Sequence, residues 1–318
     1  MCRFVARASI TMVVLLVSHT AWAEIGMKQT DAGVEVTLDG KPFTTYIFNS
    51  GFKPILWPVL GPTGKEMTRA WPLRKDNPME ATDHVHQKSF WFDHGNVNGF
   101  DFWAETLATS AKQGKQVHTE LVKAEGGKIG TLVTKTDWVG PDGGKICTDV
   151  RTLRFGGDSD SRWIDFDVVV TAAADEVTFG DTKEGSFGLR IAESMRVDKG
   201  GNVMTSEGLG NSANKKDPLP GWGKPAAWVD CNGPVEGEHL GVAILNHPSS
   251  FRYPTHWHVR AYGLFAANPW GLGDFKQTPI EHKLKKGESF TLRYRVIFHK
   301  GDEKAGKIAE AFAAYAKE

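Results

Sequence analysis

The sequence has no surplus of charge of either sign. Its 38 Lys and Arg residues match 38 Asp and Glu residues, so the formal net charge is +0. Proteins that bind nucleic acid usually carry a basic stripe that meets the phosphates, and this balance argues against a nucleic-acid partner. The hydrophobic share of 40% and the length of 318 residues are sufficient to bury a sizeable core, which excludes a disordered chain.

Several familiar catalytic motifs are absent from the sequence. It has no Walker loop, no strand-borne Gly-x-Gly-x-x-Gly, no Gly-x-Ser-x-Gly elbow and no His-Glu-x-x-His helix. Only three cysteines are present, and Cys147 and Cys231 lie outside the histidine-rich segments, so a thiol nucleophile is not expected. These two residues can form one disulfide in an oxidising compartment.

The N-terminal segment has the pattern of a signal peptide. Arg3 and Arg7 precede the apolar run 10–17, and Ala21-Trp22-Ala23 supplies the small residues of a cleavage site. We therefore expect residues 1–23 to be removed and the chain to be exported to the periplasm or beyond the cell. No later stretch approaches 18 uninterrupted apolar residues, so no membrane span is expected.

Residues after the signal alternate between apolar and polar side chains, which is typical of half-buried strands. The predicted strands cover residues 34–38, 43–48, 117–122, 129–139, 146–155, 163–171, 186–197, 226–230, 240–246, 261–267, 280–284 and 290–298. No internal repeat or low-complexity linker divides this pattern. The sequence therefore predicts an all-β protein, a large antiparallel β-sandwich of the supersandwich type, in one domain spanning residues 24–318.

One helix is predicted, at the C-terminus. Asp302 is suited to cap it, and Ile308, Phe312 and Tyr315 recur at helical spacing. We expect this helix to pack on the sheet edge or to close one end of the sandwich. Two aperiodic stretches, 52–103 and 202–224, are long enough to be functional loops.

The first histidine-rich segment is Asp83–Trp103. If residues 83–92 are extended, His84, His86 and Lys88 project from one face. Two imidazoles on one face can ligate a metal, or the three groups can face a polar substrate. His94, Asn98, Asp101 and Trp103 complete the candidate residues of this segment.

The second histidine-rich segment, 247–260, repeats the spacing, since His256, His258 and Arg260 again alternate along the chain. We expect the two segments to converge on one pocket. The alternative is two separate loops whose imidazoles bond to backbone carbonyls. A third segment, 181–190, offers Glu184 as an acid or base and Arg190 as a fork for oxygen pairs.

The sequence resembles the PmoA-like family of exported bacterial proteins from about Lys41 to Phe298. The resemblance is carried by 57–62, Asp83–Trp103, 182–188 and 246–271. Where family members commonly read Asp-His-Pro-His-His-Arg, this chain reads Asp83-His84-Val85-His86-Gln87-Lys88, so it departs at Gln87 and Lys88. The family is identified with carbohydrate-degradation genes, which implies a sandwich like those of sugar epimerases and lyases. The methane-monooxygenase name of the family refers to a bundle of transmembrane helices, which this sequence does not encode.

Three functions are compatible with these patterns. The leading hypothesis is an exported carbohydrate-active enzyme, an epimerase, mutarotase or lyase, that requires no cofactor and acts on a small sugar or glycan. In it His86 and His256 are the acid–base pair and Glu184 assists. The residues expected to bind substrate are His84, Lys88, His94, Asn98, Asp101, Trp103, Arg190, Arg252, His258, Asn268 and Trp270.

The second hypothesis is a metalloprotein whose divalent metal is held by His84, His86, His256 and His258. One form of this hypothesis is an enzyme that catalyses an oxidation. The third is a glycan-binding module without catalysis, since indole rings stack on sugars.

Overall fold

The computed structural model describes residues 23–105, 112–211 and 216–318. The predicted signal peptide, apart from Ala23, lies outside the described residues. Within the described part of the chain, no helix has the length and apolarity that crossing a membrane requires.

The described chain folds mainly into strands. In chain order these are β1 (Ile25–Gln29), β2 (Gly33–Leu38), β3 (Lys41–Ile47), β4 (Ile55–Val59), β5 (Phe90–His94), β6 (Lys115–Glu125), β7 (Gly130–Val139), β8 (Lys145–Gly157), β9 (Ser161–Ala172), β10 (Glu176–Phe179), β11 (Gly185–Arg190), β12 (Asn202–Thr205), β13 (Trp228–Val235), β14 (Glu238–Asn246), β15 (His256–Val259), β16 (Leu264–Asn268), β17 (His282–Lys285) and β18 (Ser289–Lys300).

Two antiparallel sheets of eight strands face each other. The first sheet has the order β1-β2-β3-β4-β5-β11-β16-β15, and the second has the order β12-β13-β14-β18-β9-β8-β7-β6. Strands β10 and β17 form a separate two-stranded sheet. The predicted all-β, antiparallel β-sandwich is confirmed.

The core lies between the two large sheets. Phe187 of the first sheet stacks on Tyr294 of the second with ring centroids 4.4 Å apart, and Phe166 packs against Phe187 at 5.1 Å. Along β7 buried and half-buried residues alternate strictly, because one side of each strand faces this core. The alternation that predicted the strands is therefore the signature of one-sided burial.

One α-helix, α1 (Ile308–Tyr315), follows the last strand. It packs on the outer face of the second sheet, in a cluster that contains Trp228, Leu245 and Ile297. The expected position at a sheet edge or sandwich end was wrong. Asp302 accepts hydrogen bonds from the amides of residues 304 and 305, so it caps a turn that precedes the helix rather than the helix itself.

Local predictions failed where tertiary contacts override the pattern. Residues 83–89 are irregular, with a turn at 85–86 and positive φ at His84 and Ser89, and the strand begins only at Phe90. The condition that residues 83–92 are extended is therefore not met, and His84, His86 and Lys88 do not alternate along a strand. The predicted strand 186–197 ends at Arg190 and continues in two short 3-10 helices.

The disulfide that the sequence leaves possible is not formed. Cys147 and Cys231 are both buried and free. Cys147 lies on β8 and Cys231 on β13, with three strands between them in the second sheet. At about 4.8 Å per strand, their backbones are about 19 Å apart, far beyond the reach of a disulfide.

Candidate functional site

The candidate site lies on the outer face of the first sheet, the face that points away from the core. The strand register places Gly188 of β11 between Trp91 of β5 and Ala266 of β16, and Ala266 lies opposite His258 of β15. A row of indole, glycine, alanine and imidazole therefore crosses the sheet. A Cβ added to Gly188 would lie 2.6 Å from Trp91 Cζ2, so the indole occupies this place because residue 188 has no side chain.

Tyr262, in the turn between β15 and β16, contacts His84 of the first histidine-rich segment and Arg260 of the second. No ring contact joins His256 or His258 to His84 or His86 among the described residues. The His84 ring stacks on the Tyr262 ring with centroids 5.0 Å apart and an angle of 8° between the planes. The His86 ring lies 5.7 Å from that of His84 and 6.0 Å from the indole of Trp103. Loop residues, rather than a strand, thus bring the first segment over the outer face.

His86 is neutral at physiological pH. Its partial burial lowers the pKa to about 3, and the nearby cationic groups Lys53, Arg69 and Arg190 act in the same direction. An uncharged imidazole can accept or donate a hydrogen bond but carries no charge of its own.

A buried charged network supports this part of the face. The Lys53 ammonium, which is fully buried, lies 2.6 Å from Asp93 and donates to the Trp103 carbonyl at 3.3 Å. Lys88 pairs with Glu105 and donates to the Ser50 carbonyl. Burial raises the pKa of Asp93 to about 7 despite the neighbouring Lys53. Lys88, expected to bind substrate beside the imidazoles, is instead engaged within the protein.

Two buried guanidinium groups share one carboxylate. Asp83 accepts from Arg69 at 2.7 Å and from Arg190 at 3.1 Å, and its other oxygen lies 2.9 Å from His84 Nδ1. Although burial opposes it, Arg190 and Arg69 together lower the pKa of Asp83 to about 2. Arg190 also donates to Gln87, so both of its Nη groups already have protein acceptors, unlike the free substrate fork expected from the sequence.

His258 has a defined tautomer. Its Nδ1 lies 2.8 Å from the Lys183 carbonyl oxygen, and a carbonyl only accepts, so Nδ1 carries the proton and Nε2 a lone pair. The ring is 2% exposed, and Nε2 has no hydrogen-bond partner among the described residues. Burial lowers the pKa of His258 to about 4, so the ring stays neutral near pH 7.

Glu184 lies between the two histidine-rich segments, directly before β11. Its carboxylate pairs with Lys183 at 2.8 Å and is 34% exposed. It interacts electrostatically with both Asp101 and Tyr262. Burial raises the pKa of Tyr262, so this phenol keeps its proton at neutral pH.

His256 does not meet the expected partner. It lies beside Phe275, with ring centroids 6.3 Å apart, and next to Gln277. No hydrogen bond or ring contact joins it to His86 in the described part of the chain. Nor do any three His, Cys, Asp or Glu side chains of residues 23–105, 112–211 and 216–318 come together as a metal site, so the four-histidine ligand set is not assembled.

Three other candidate residues belong to the interior of the sandwich. The His94 ring is 1% exposed, bonds to the Gly180 carbonyl at 2.9 Å and packs against Trp270, itself 1% exposed. Asn268 donates to the Thr182 carbonyl and accepts the amide of residue 270. These positions link loops and fill space, and none presents a surface to solvent.

The remaining candidates stabilise turns. Asn98 bonds to the backbone of β10 at residues 176 and 178, and Asp101 accepts the amides of residues 103 and 104. Arg252 donates to the carbonyls of Pro269 and Glu281. Trp103 is 2% exposed and its ring lies 6.0 Å from that of His86, so its indole presents no open face to solvent.

Sequence reasoning missed the charged groups below the imidazoles. Lys53, Arg69 and Asp93 are fully buried, and each has an ionic partner. A signal for Asp93 existed, because it follows three consecutive aromatic residues in β5, and a charge in such a run is stable only with a buried partner. Nothing in the sequence identifies that partner as Lys53.

Residues 33–313 match the Family of unknown function (DUF6807). The chain belongs to this family. No protein of curated function matches the sequence. The family has no assigned activity, and its match gives no support to the PmoA label.

Among solved structures, the chain is similar to a putative aldose 1-epimerase from Escherichia coli. The identity is 10%, the alignment covers 86% of this chain and 98% of that one, and the TM-score is 0.33. It is also similar to a glycoside hydrolase family 97 enzyme from Pseudoalteromonas, with 12% identity over 87% of this chain and a TM-score of 0.32. The chain spans 34% of the length of that hydrolase. No activity is transferred from likenesses of this level.

Proposed function

We propose that the protein is carbohydrate-active and performs acid–base chemistry, without redox, on a sugar bound over the outer face of the first sheet. The observation that carries the proposal is His258, whose Nδ1 is fixed by the Lys183 carbonyl and whose Nε2 is buried and unpartnered among the described residues. A lone pair held in this way can accept a proton or a hydroxyl hydrogen bond.

The aromatic groups of the same region suit a sugar. Sugar rings have apolar faces, which pack on aromatic rings, and hydroxyls that both donate and accept. Trp91 and Trp103 each have a buried Nε1–H without a partner among the described residues, which can donate. The 38% exposed ring of His84, supported by Tyr262, offers an aromatic surface.

The reaction classes that fit are anomer interconversion, epimerisation and β-elimination, which move protons and need no oxidant. In anomer interconversion, the base takes the proton of the C1 hydroxyl while an acid protonates the ring oxygen, the C1–O bond breaks and C1 becomes an aldehyde. Closure on the other face reverses these transfers and returns both protons, so atoms balance. We assign the proton transfers to His258, Glu184 and His86. His258 replaces His256 because the ring of His256 bonds to Gln277, whereas Nε2 of His258 has no partner among the described residues.

Export is part of the proposal and rests on the residues of the N-terminal segment 1–23 alone. The relationship to PmoA-like proteins remains a prediction that rests on the sequence motifs alone. Methane oxidation is not proposed.

The test follows a panel of neutral aldoses, uronates and oligosaccharides by proton NMR in D2O. Faster anomer equilibration, deuterium uptake at carbon and new alkene signals distinguish the three reaction classes. We expect His258→Gln to slow the active reaction by about 100-fold, with Glu184→Gln and His86→Gln also impaired. His282→Gln, on β17, is the matched control and retains activity. If the protein binds a sugar of the panel but converts none of them, the glycan-binding alternative replaces the enzyme. If nothing binds, the proposal is wrong.

A further inference from the structure

The positive charge of the candidate site is concentrated around Tyr262. The Arg190 guanidinium lies 4.7 Å and the Arg260 guanidinium 5.3 Å from the centroid of its ring, and the His84 imidazole stacks on that ring. Asp83 already serves Arg69, Arg190 and His84. Asp217 pairs with Arg260, and Glu184 interacts electrostatically with Tyr262.

Arg260 differs from the other guanidinium groups of this region. Arg69 and Arg190 are fully buried and have protein acceptors. The side chain of Arg260 is 26% exposed, and its Nε lies 3.2 Å from an oxygen of Asp217. That N–H is not directed at the oxygen, so Nε has no hydrogen bond. Within the described chain its two Nη groups also donate to no residue, which leaves the planar fork free.

We infer that the sugar accepted by this site is acidic and that its carboxylate binds to the Arg260 guanidinium. The inference rests on the proposed function, since it names the substrate class of the same site. A guanidinium fork matches the two oxygens of a carboxylate, which forms paired charge-assisted hydrogen bonds. An anion at this position also lies beside the two guanidinium groups that flank the Tyr262 ring.

The spacing along β15 supports this assignment. Arg260 follows His258 by two residues, so both side chains project from the same side of the extended chain, about 7 Å apart. The backbone amide of Arg260 bonds to Leu264 at 2.9 Å, which continues the ladder between β15 and β16. A sugar ring whose C6 carboxylate contacts Arg260 therefore reaches toward His258 with its anomeric end.

The experiment compares three sugar pairs that differ only in the C6 group: glucuronate and glucose, galacturonate and galactose, and mannuronate and mannose. Binding to the full-length protein is measured by saturation-transfer NMR and calorimetry. We expect at least one uronate to bind more tightly than its neutral partner. Arg260→Gln should weaken the binding of that uronate by about 10-fold to 100-fold and leave the binding of the neutral sugar unchanged. Arg260→Lys keeps the charge but loses the fork. Its affinity for the uronate should lie between that of the unmodified protein and that of Arg260→Gln.

Arg154→Gln is the matched control, because Arg154 makes a comparable ion pair with Asp167 at 2.9 Å on the second sheet. Its sugar binding should equal that of the unmodified protein, and circular dichroism confirms that every variant is folded. Equal binding of the uronates and the neutral sugars, or a uronate preference that survives in Arg260→Gln, overturns the inference but leaves the proposed function standing. Absence of binding by all six sugars overturns the inference, and the proposed function is also wrong if the oligosaccharides of its panel fail to bind.

Discussion

The imidazole of His84 lies flat against the phenol ring of Tyr262, with centroids 5.0 Å apart and planes within 8°. His84 belongs to the loop before β5, and Tyr262 to the turn between β15 and β16. In the first sheet β11 and β16 separate β5 from β15, so the contact bridges loops from strands that are not neighbours. This pair closes one end of the candidate site.

Replacement of Tyr262 tests that closure. Tyr262→Leu removes the ring shared by His84 and the guanidinium groups of Arg190 and Arg260. We expect unfolding free energy to fall by about 1 kcal/mol, the size of one aromatic stacking or cation–π contact, and uronate binding to weaken. Tyr262→Phe keeps the ring and loses only the hydroxyl that bonds to Gln87, so it should be more stable than the Leu variant and retain uronate binding. Urea denaturation and calorimetry measure the two effects, and a Leu variant as stable as Phe would contradict the assignment.

Gly188 should tolerate no side chain. An added Cβ would lie 2.6 Å from Trp91 Cζ2, so Gly188→Ala must displace the indole at a cost of about 1–3 kcal/mol in unfolding free energy. Tryptophan fluorescence should shift at the same time. Gly144→Ala is the matched control, because the nearest atom there is the carboxylate of exposed Asp142, at 3.2 Å. If the two substitutions lower the unfolding free energy equally, the contact with the Trp91 indole is not the cause of the loss at Gly188.

Lys53 should stabilise the fold in a pH-dependent way. Lys53→Met leaves Asp93 buried without its cation, which costs about 3–5 kcal/mol of unfolding free energy when the carboxyl is charged. Because the pKa of Asp93 is already raised to about 7, the loss should be smaller at pH 5, where this carboxyl is protonated, than at pH 8. Denaturant titrations at both pH values measure it. Lys53→Met/Asp93→Leu should recover part of the stability, and no recovery would contradict the pairing.

His94 should destabilise the protein in acid. Burial lowers its pKa to about 4, whereas the ring in the unfolded chain takes up a proton below about pH 6.5. The unfolded state therefore binds more protons between these values, and stability falls with decreasing pH by up to about 1.4 kcal/mol per unit. His94→Gln lacks this titration, so its unfolding free energy relative to that of the unmodified protein should increase from pH 7 to pH 5. A constant difference across this interval would refute the assignment.

The cysteines should be unreactive in the folded protein. Cys147 and Cys231 are buried and free, and burial raises the pKa of both thiols. The thiolate is the reactive form, so labelling by a thiol reagent should occur only at the rate of unfolding. A reducing agent should leave the melting temperature unchanged. Rapid labelling without denaturant would show that these strands open independently.

The fold was largely predictable because alternation of apolar and polar residues is a local consequence of one-sided burial. Long strands such as β7, β9 and β18 carry that pattern over ten or more residues. Short strands such as β4 and β15 do not, because pairing with neighbouring strands, rather than their own sequence, makes them extended.

The arrangement of the site required the tertiary structure. Composition and spacing picked out His84, His86 and His258, but only the assembled sheet decides that His84 stacks on Tyr262 and that Lys183 fixes the tautomer of His258. Ion pairs such as that of Lys53 and Asp93 join residues 40 positions apart. A residue's type and its near neighbours specify which face it prefers, whereas its charged partner is set by chain reversals that bring distant segments together.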